Sequence, residues 1–203
     1  MEMKKFLEKI SLDTPTPGGG SASALAGALS ASLVAMVAGL SCKKGKIRQR
    51  RMMEIRKKAL TIQKRLLQAV DEDSKSFDGV IKAFRLPRDS EKKRFQRVRE
   101  IQKAYRNATL TPRLVCQRSL QLLAYSKILI LKGNPNALSD AGVAAFLADA
   151  AIAGGLLNIG INLVAVSEEN FVKKMNVLMR NAARKRNDLM KAILVKLIGT
   201  QQV

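Results

Sequence analysis

Between Thr14 and Cys42 the chain runs for 29 residues without a charge, TPTPGGGSASALAGALSASLVAMVAGLSC, inside a sequence whose formal net charge is +21. Such a segment constrains the fold strongly. A helix uncharged on every face is buried in protein or spans a membrane. From Ser21 to about Ser41 the run is long enough for a span. Its five serines and many small residues argue instead for close helix packing, and no membrane association is expected. Pro15, Pro17 and Gly18 to Gly20 predict a loop over residues 11–20. A glycine-rich turn that starts a helix leaves backbone N–H groups free for an anion or polar ligand. GGGS is neither a GxGxxG turn after a strand nor a P-loop, so alone it specifies no chemistry.

The rest of the chain reads as helix. Residues 2–10 form a short amphipathic segment. Residues 47–84 read as one long helix ending near Leu86-Pro87, and 89–132 as another helical region, with a kink at Pro112. GNPNALSD, residues 133–140, predicts a turn in which Ser139 or Asp140 caps the next helix. Residues 140–166 are again nearly uncharged, and 168–199 form an amphipathic helix through Phe171, Met175, Leu178, Met179, Leu189 and Ile193. Aromatic residues are only 4% of the chain and Trp is absent, a composition poor in strand formers. The predicted fold is all-α. It is one up-and-down bundle over residues 1–203, with two small-residue inner helices wrapped by longer amphipathic ones.

The chain has no histidine, which excludes a Ser-His-Asp triad, a Cys-His pair and most zinc sites. Acid–base chemistry falls to Asp, Glu, Lys, Tyr or Cys. Cys42 and Cys116 match no metal or redox spacing. With an N-terminus that lacks a signal-peptide core, they point to a reducing, cytoplasmic setting. Residues 43–113 hold 23 of the 37 Lys and Arg against eight acids. This basic surplus is either a solvated helical surface or a face for a polyanion, nucleic acid or membrane surface.

Helical phase singles out two sets of polar residues. In the helix containing VDEDSKSFDGVIKAF, Leu66, Val70, Phe77, Ile81 and Phe84 form one apolar stripe at about 100° per residue. Asp73 falls inside that stripe, whereas Asp71, Glu72 and Asp78 fall outside it. A carboxylate aimed into an apolar interface needs a partner or a cap. Alternatively it is a general acid or base with a raised pKa. In the second inner helix, Asp140, Ala144, Leu147, Ala151, Gly154, Asn158 and Asn162 share a face, with Asp149 opposite. That face is a groove for a ligand or helix, unless Asp140 is a cap and the asparagines bond to backbone. Lys44 and Lys46 either neutralise an anionic ligand or complement the negative end of the preceding helix.

Four segments in this order, TPTPGGGSASALAGALSASLVAMV, VDEDSKSFDGVIKAFRLP, GNPNALSDAGVAA and NIGINL, resemble the cyclodeaminase and methenyltetrahydrofolate cyclohydrolase family over nearly the whole chain. That family includes the C-terminal domain of formiminotransferase-cyclodeaminase. The resemblance implies an all-α homodimer or dimer-based oligomer with a tetrahydrofolate substrate, including polyglutamylated forms, near the subunit interface. It implies no permanently bound cofactor and no metal. It also implies that Asp73 is catalytic, and that Gly18, Gly19, Gly20, Ser21, Asn134, Ser139, Asp140 and Asn158 belong to the substrate site. Lys44 or Lys46 would hold the glutamate tail. Two positions depart from the family pattern: Ser41-Cys42-Lys43-Lys44-Gly45-Lys46 stands where a Thr-x-Gly-Lys-Lys-like segment is usual, and Arg113 replaces an apolar residue. The readings from other classes are a basic helical module that binds nucleic acid or another polyanion without catalysis, and a folate-binding relative without catalysis. The scarcity of aromatics for base stacking weighs against nucleic acid.

Overall fold

A computed structural model describes residues 2–42 and 46–199, apart from the side chains of Lys46 and Arg48. Its seven α-helices are α1 (Met3–Ile10), α2 (Gly19–Leu40), α3 (Lys46–Phe84), α4 (Glu91–Ala108), α5 (Leu110–Lys132), α6 (Leu138–Leu163) and α7 (Glu169–Gly199). A 3-10 turn, Pro135–Ala137, precedes α6. No strand occurs among the described residues.

The charge-free run becomes α2, held against α3, α5 and α6. Small residues set how near the neighbours come. A Cβ at Gly27 would stand 2.9 Å from both Leu66 Cδ1 and Ser119 Oγ, and one at Gly154 would stand 3.0 Å from Ser23 Cβ. On α6, Ala144, Ala145, Ala148 and Ala151 are fully buried. The larger core side chains, Leu66, Leu122, Leu123, Ile152, Met175 and Ile193, come mainly from the surrounding helices. The two inner helices are thus thin, and the outer ones supply bulk.

By length and composition, Gly19–Leu40, Glu91–Lys132 and Pro135–Leu163 are apolar enough to cross a membrane. In this fold the polar atoms of α2 are satisfied by protein. Ser30 Oγ donates to the Ala144 carbonyl at 2.7 Å, and Ser21 Oγ donates to the Val70 carbonyl at 3.1 Å.

Several local expectations shift. α2 starts at Gly19, so two of the three glycines lie in its first turn rather than in the loop. The α4–α5 break falls at Thr109, three residues before Pro112. Proline has no N–H, so it cannot bond to the carbonyl four residues earlier, that of Ala108. Asn162 Nδ2 donates to that carbonyl at 3.0 Å. The α6 N-cap is Ala137 rather than Ser139 or Asp140. Asn134 caps the 3-10 turn instead, its Oδ1 accepting from the Asn136 N–H at 3.1 Å.

Replacing Asn162 with Ala leaves the Ala108 carbonyl without that donor. The expected loss is about 1–3 kcal/mol of unfolding free energy in urea titration. The loss should shrink in a Pro112→Ala background, where residue 112 regains an N–H. Equal losses in both backgrounds would contradict this account of Asn162.

Candidate active site

The first turn of α2 has no side-chain cap, because its N-cap is Gly18. α3 brings Asp73 to that turn. Ser21 Oγ donates to Asp73 Oδ2 at 3.0 Å, and Ser74 Oγ lies 3.4 Å from the same hydroxyl. The Ser21 backbone N–H also favours the charged form of Asp73. The carboxylate therefore does part of the work of a cap from a neighbouring helix. This close approach requires a glycine opposite it: a Cβ at Gly20 would stand 2.6 Å from Asp73 Cγ.

Asp73 is half-buried, and among the described residues no Lys or Arg forms an ion pair with it. Burial pushes its pKa above the ordinary carboxyl value, and the Ser21 hydroxyl and N–H pull it partly back. Its neighbours differ. Glu72 pairs with Arg65 at 2.8 Å, and Asp71 and Asp78 are exposed. Of the two cysteines, Cys42 bonds to the Ala38 carbonyl at 3.3 Å, and burial pushes the Cys116 thiol up to about 11. A carboxyl that is partly desolvated and has no cation partner among the described residues holds a proton more readily than an exposed aspartate does.

Asn158 adds an amide beside Asp73 and the glycine turn. It lies 3.9 Å from where a Gly19 Cβ would stand, and its Nδ2 donates to the Gly154 carbonyl at 2.8 Å. Among the described residues its side-chain oxygen accepts no hydrogen bond. Gly18 to Ser21, Asp73 and Asn158 thus meet at one end of the bundle. The stripe read on α3 is corrected beyond Asp73. Val80 and Ala83 are buried there, whereas Phe77 and Phe84 are 36% and 44% exposed.

Asn134, Ser139 and Asp140 lie at the other end of α2, about 30 Å away for a helix of this length. The Asn134 N–H donates to Ser41 Oγ at 2.8 Å, and its Nδ2 donates to the Leu40 carbonyl at 3.4 Å, so it closes the C-terminus of α2. Ser139 is exposed and Asp140 sits in the first turn of α6. Lys44 lies outside the described residues. Of Lys46 only the backbone lies within them, as the first residue of α3. One protomer therefore does not bring all the candidate residues together.

Two cations went unnoticed in the sequence. A cavity of about 520 Å³ lies between the α1–α2 loop and α3, lined by Lys9, Thr14, Thr16, Ser74 and Lys75 among others. Ser74 joins it to the Asp73 cluster. Only the folded loop places Lys9 near α3, so spacing along the chain carried no signal for it.

Fold and site define an all-α bundle with a partly desolvated carboxylate at the glycine-rich start of an inner helix. The formiminotransferase-cyclodeaminase family model matches residues 2–181, and the chain belongs to that family. It is 31% identical to a methenyltetrahydrofolate cyclohydrolase of Methylorubrum extorquens, over 85% of this chain and 84% of that protein. It is 29% identical to the formimidoyltransferase-cyclodeaminase of Gallus gallus over 94% of its own length, but spans only 36% of that longer protein. The crystal structure of formiminotetrahydrofolate cyclodeaminase from Thermotoga maritima superposes with a TM-score of 0.89 at 27% identity, covering 98% of this chain and 97% of that one.

A raised carboxyl pKa has a defined signature in stability. The charged form is disfavoured in the folded state, so its penalty is absent below the unfolded-state pKa and complete above the folded-state one. Asp73→Asn should therefore gain stability relative to the wild type as pH rises from about 3 to about 8, measured by urea unfolding across that range. A variant whose deficit grows with pH would contradict the desolvated state of Asp73.

Proposed function

We propose that this chain is a folate one-carbon enzyme acting at the bridge between N5 and N10 of tetrahydrofolate. It would convert 5-formiminotetrahydrofolate to 5,10-methenyltetrahydrofolate and ammonia, hydrolyse the methenyl compound to 10-formyltetrahydrofolate, or do both. The observation that carries this reading is Asp73, a partly desolvated carboxylate with no cation partner among the described residues, set against Gly20 and Ser21 in a chain of this family. The named activities of the relatives fit the same chemistry.

Both reactions pass through a tetrahedral carbon bearing nitrogen. In cyclodeamination N10 attacks the formimino carbon, its proton passes to Asp73, and the carboxyl returns that proton to the departing nitrogen as ammonia leaves. In cyclohydrolysis Asp73 takes a proton from the water that adds to the methenyl carbon. It then protonates N5 as the carbon–N5 bond breaks. In each case the carboxylate also stabilises positive charge on the bridge. The backbone N–H groups at the start of α2 and the Asn158 amide suit the polar edge of the pterin. Lys9 and Lys75 offer cations for the glutamate tail within one protomer. A surplus of positive charge suits polyglutamylated substrate.

A homodimer belongs to the same proposal. Leu29 and Met36 of α2, Leu60 and Leu67 of α3, and Val143 and Phe146 of α6 are all exposed. Their helical phases and levels put them on one face. A two-fold axis across α2 would bring the Asn134–Asp140 end of one protomer toward the Asp73 end of its partner. Both cysteines are free thiols, which suits the cytoplasmic setting included in this reading.

Purified protein supplied separately with each folate tests the assignment. Ammonia release reports one reaction and loss of methenyl absorbance the other. Asp73→Asn should stay folded and lose about 10²–10⁴-fold of turnover. The wild-type rate should fall on acidification below a pKa higher than that of an ordinary aspartate. No turnover of either folate, or a folded Asp73→Asn variant with wild-type rates, would overturn the reading.

A further inference from the structure

α2 and α3 run antiparallel in a constant register. Gly39 lies against Arg56, Ser32 bonds to Gln63, Gly27 lies against Leu66, and Gly20 and Ser21 lie against Asp73. Carried one turn further along α3, the register brings Phe77 level with Gly18 and the residues just before it. There α2 has not yet begun. At about 100° per residue, Phe77 points within about 40° of Asp73, toward the lane that α2 occupies lower down. That explains why a phenylalanine on the stripe is 36% exposed. Its aromatic neighbour on α3, Phe84, is already engaged: the Tyr105 ring packs edge-on against it at 6.2 Å and the Arg97 guanidinium lies 5.5 Å from its centroid. Among the described residues Phe77 has no such aromatic or cationic neighbour.

α6 overruns the start of α2 in the same way. Its Ala144 carbonyl meets Ser30, Gly154 lies against Ser23, and Asn158 lies beside Gly19. One turn beyond, Ile161 points within about 20° of Gly154, again past the end of α2, and is 69% exposed. Two long helices thus stand beyond the first turn of a shorter one. The register sets the Gly18–Ser21 turn between them, with Asp73 and Asn158 at its level and Phe77 and Ile161 about one turn beyond it. An apolar slot above a polar floor, walled on one side by a phenyl ring, suits a flat heterocycle whose reacting edge is polar.

We propose that Phe77 and Ile161 clamp the planar ring of the substrate, and that Phe77 is the positioning residue that holds the reacting edge over Asp73. This inference rests on the folate reading above and adds to it the residue that recognises the ring. It is tested with 5-formyltetrahydrofolate, a ligand that lacks the reactive bridge. The chain contains no tryptophan, so Phe77→Trp places a single fluorophore in the slot. Saturating ligand should quench it, with an affinity by calorimetry within about threefold of wild type, because stacking survives the exchange of one ring for another. Phe95→Trp, on the outer face of α4, corrects for absorption by the ligand and should show no further quenching. Phe77→Leu should keep wild-type helicity and melting temperature and bind about tenfold more weakly. Wild-type affinity in Phe77→Leu, or unchanged emission from Phe77→Trp at saturation, overturns the clamp and leaves the folate reading standing. Absence of binding to the wild-type protein overturns both.

Discussion

The structure turns on the contact between a helix backbone and a carboxylate from the next helix. Gly20 lets α3 approach until Asp73 covers the first turn of α2, and a single methyl group there would push the carboxyl away. That approach does two things at once. It supplies acceptors to a helix start that has none of its own, and it takes the carboxylate partly out of water. A group held in this way is less comfortable as an anion than an exposed aspartate. It is correspondingly better suited to accept a proton and return it within one reaction. The thinness of α2 and α6 makes the contact possible, since a bulkier inner helix would hold α3 too far off.

Much of this was legible in the sequence. A run with no charge had to be an inner or a membrane-spanning helix, its serines and small residues favoured the inner one, and the phase of Asp73 against Leu66 and Val70 placed it on the inner side of α3. Phase gives a direction but not the length of the neighbour. Phe77 and Phe84 follow the same stripe as Asp73, yet they emerge into the open because α2 ends below them. The break at Thr109 was misplaced for a related reason. Proline disturbs the carbonyl four residues earlier, and only the folded chain shows Asn162 coming across from α6 to meet it.

The two ends of α2 were the larger surprise. Motif positions that read as one site are separated by the length of that helix: Gly18–Ser21, Asp73 and Asn158 at one end, and Asn134, Ser139 and Asp140 at the other. Sequence order carries no information about this distance. Within one protomer the second group has clear structural work, because Asn134 closes α2 and caps the turn that launches α6. In the proposed homodimer, paired through the exposed apolar residues of α2, α3 and α6, that end would lie beside the Asp73 end of the partner.

The ionisation of Asp73 itself tests the central claim most directly. Carbon-detected NMR of protein labelled at the aspartate carboxyl groups, titrated with and without Ser21→Ala, isolates that one resonance. The account predicts that Asp73 titrates above the ordinary aspartate range, and that losing the Ser21 hydroxyl moves it higher still, because that bond favours the charged form. A carboxyl that titrates within the ordinary aspartate range, or that moves downward in Ser21→Ala, would contradict it.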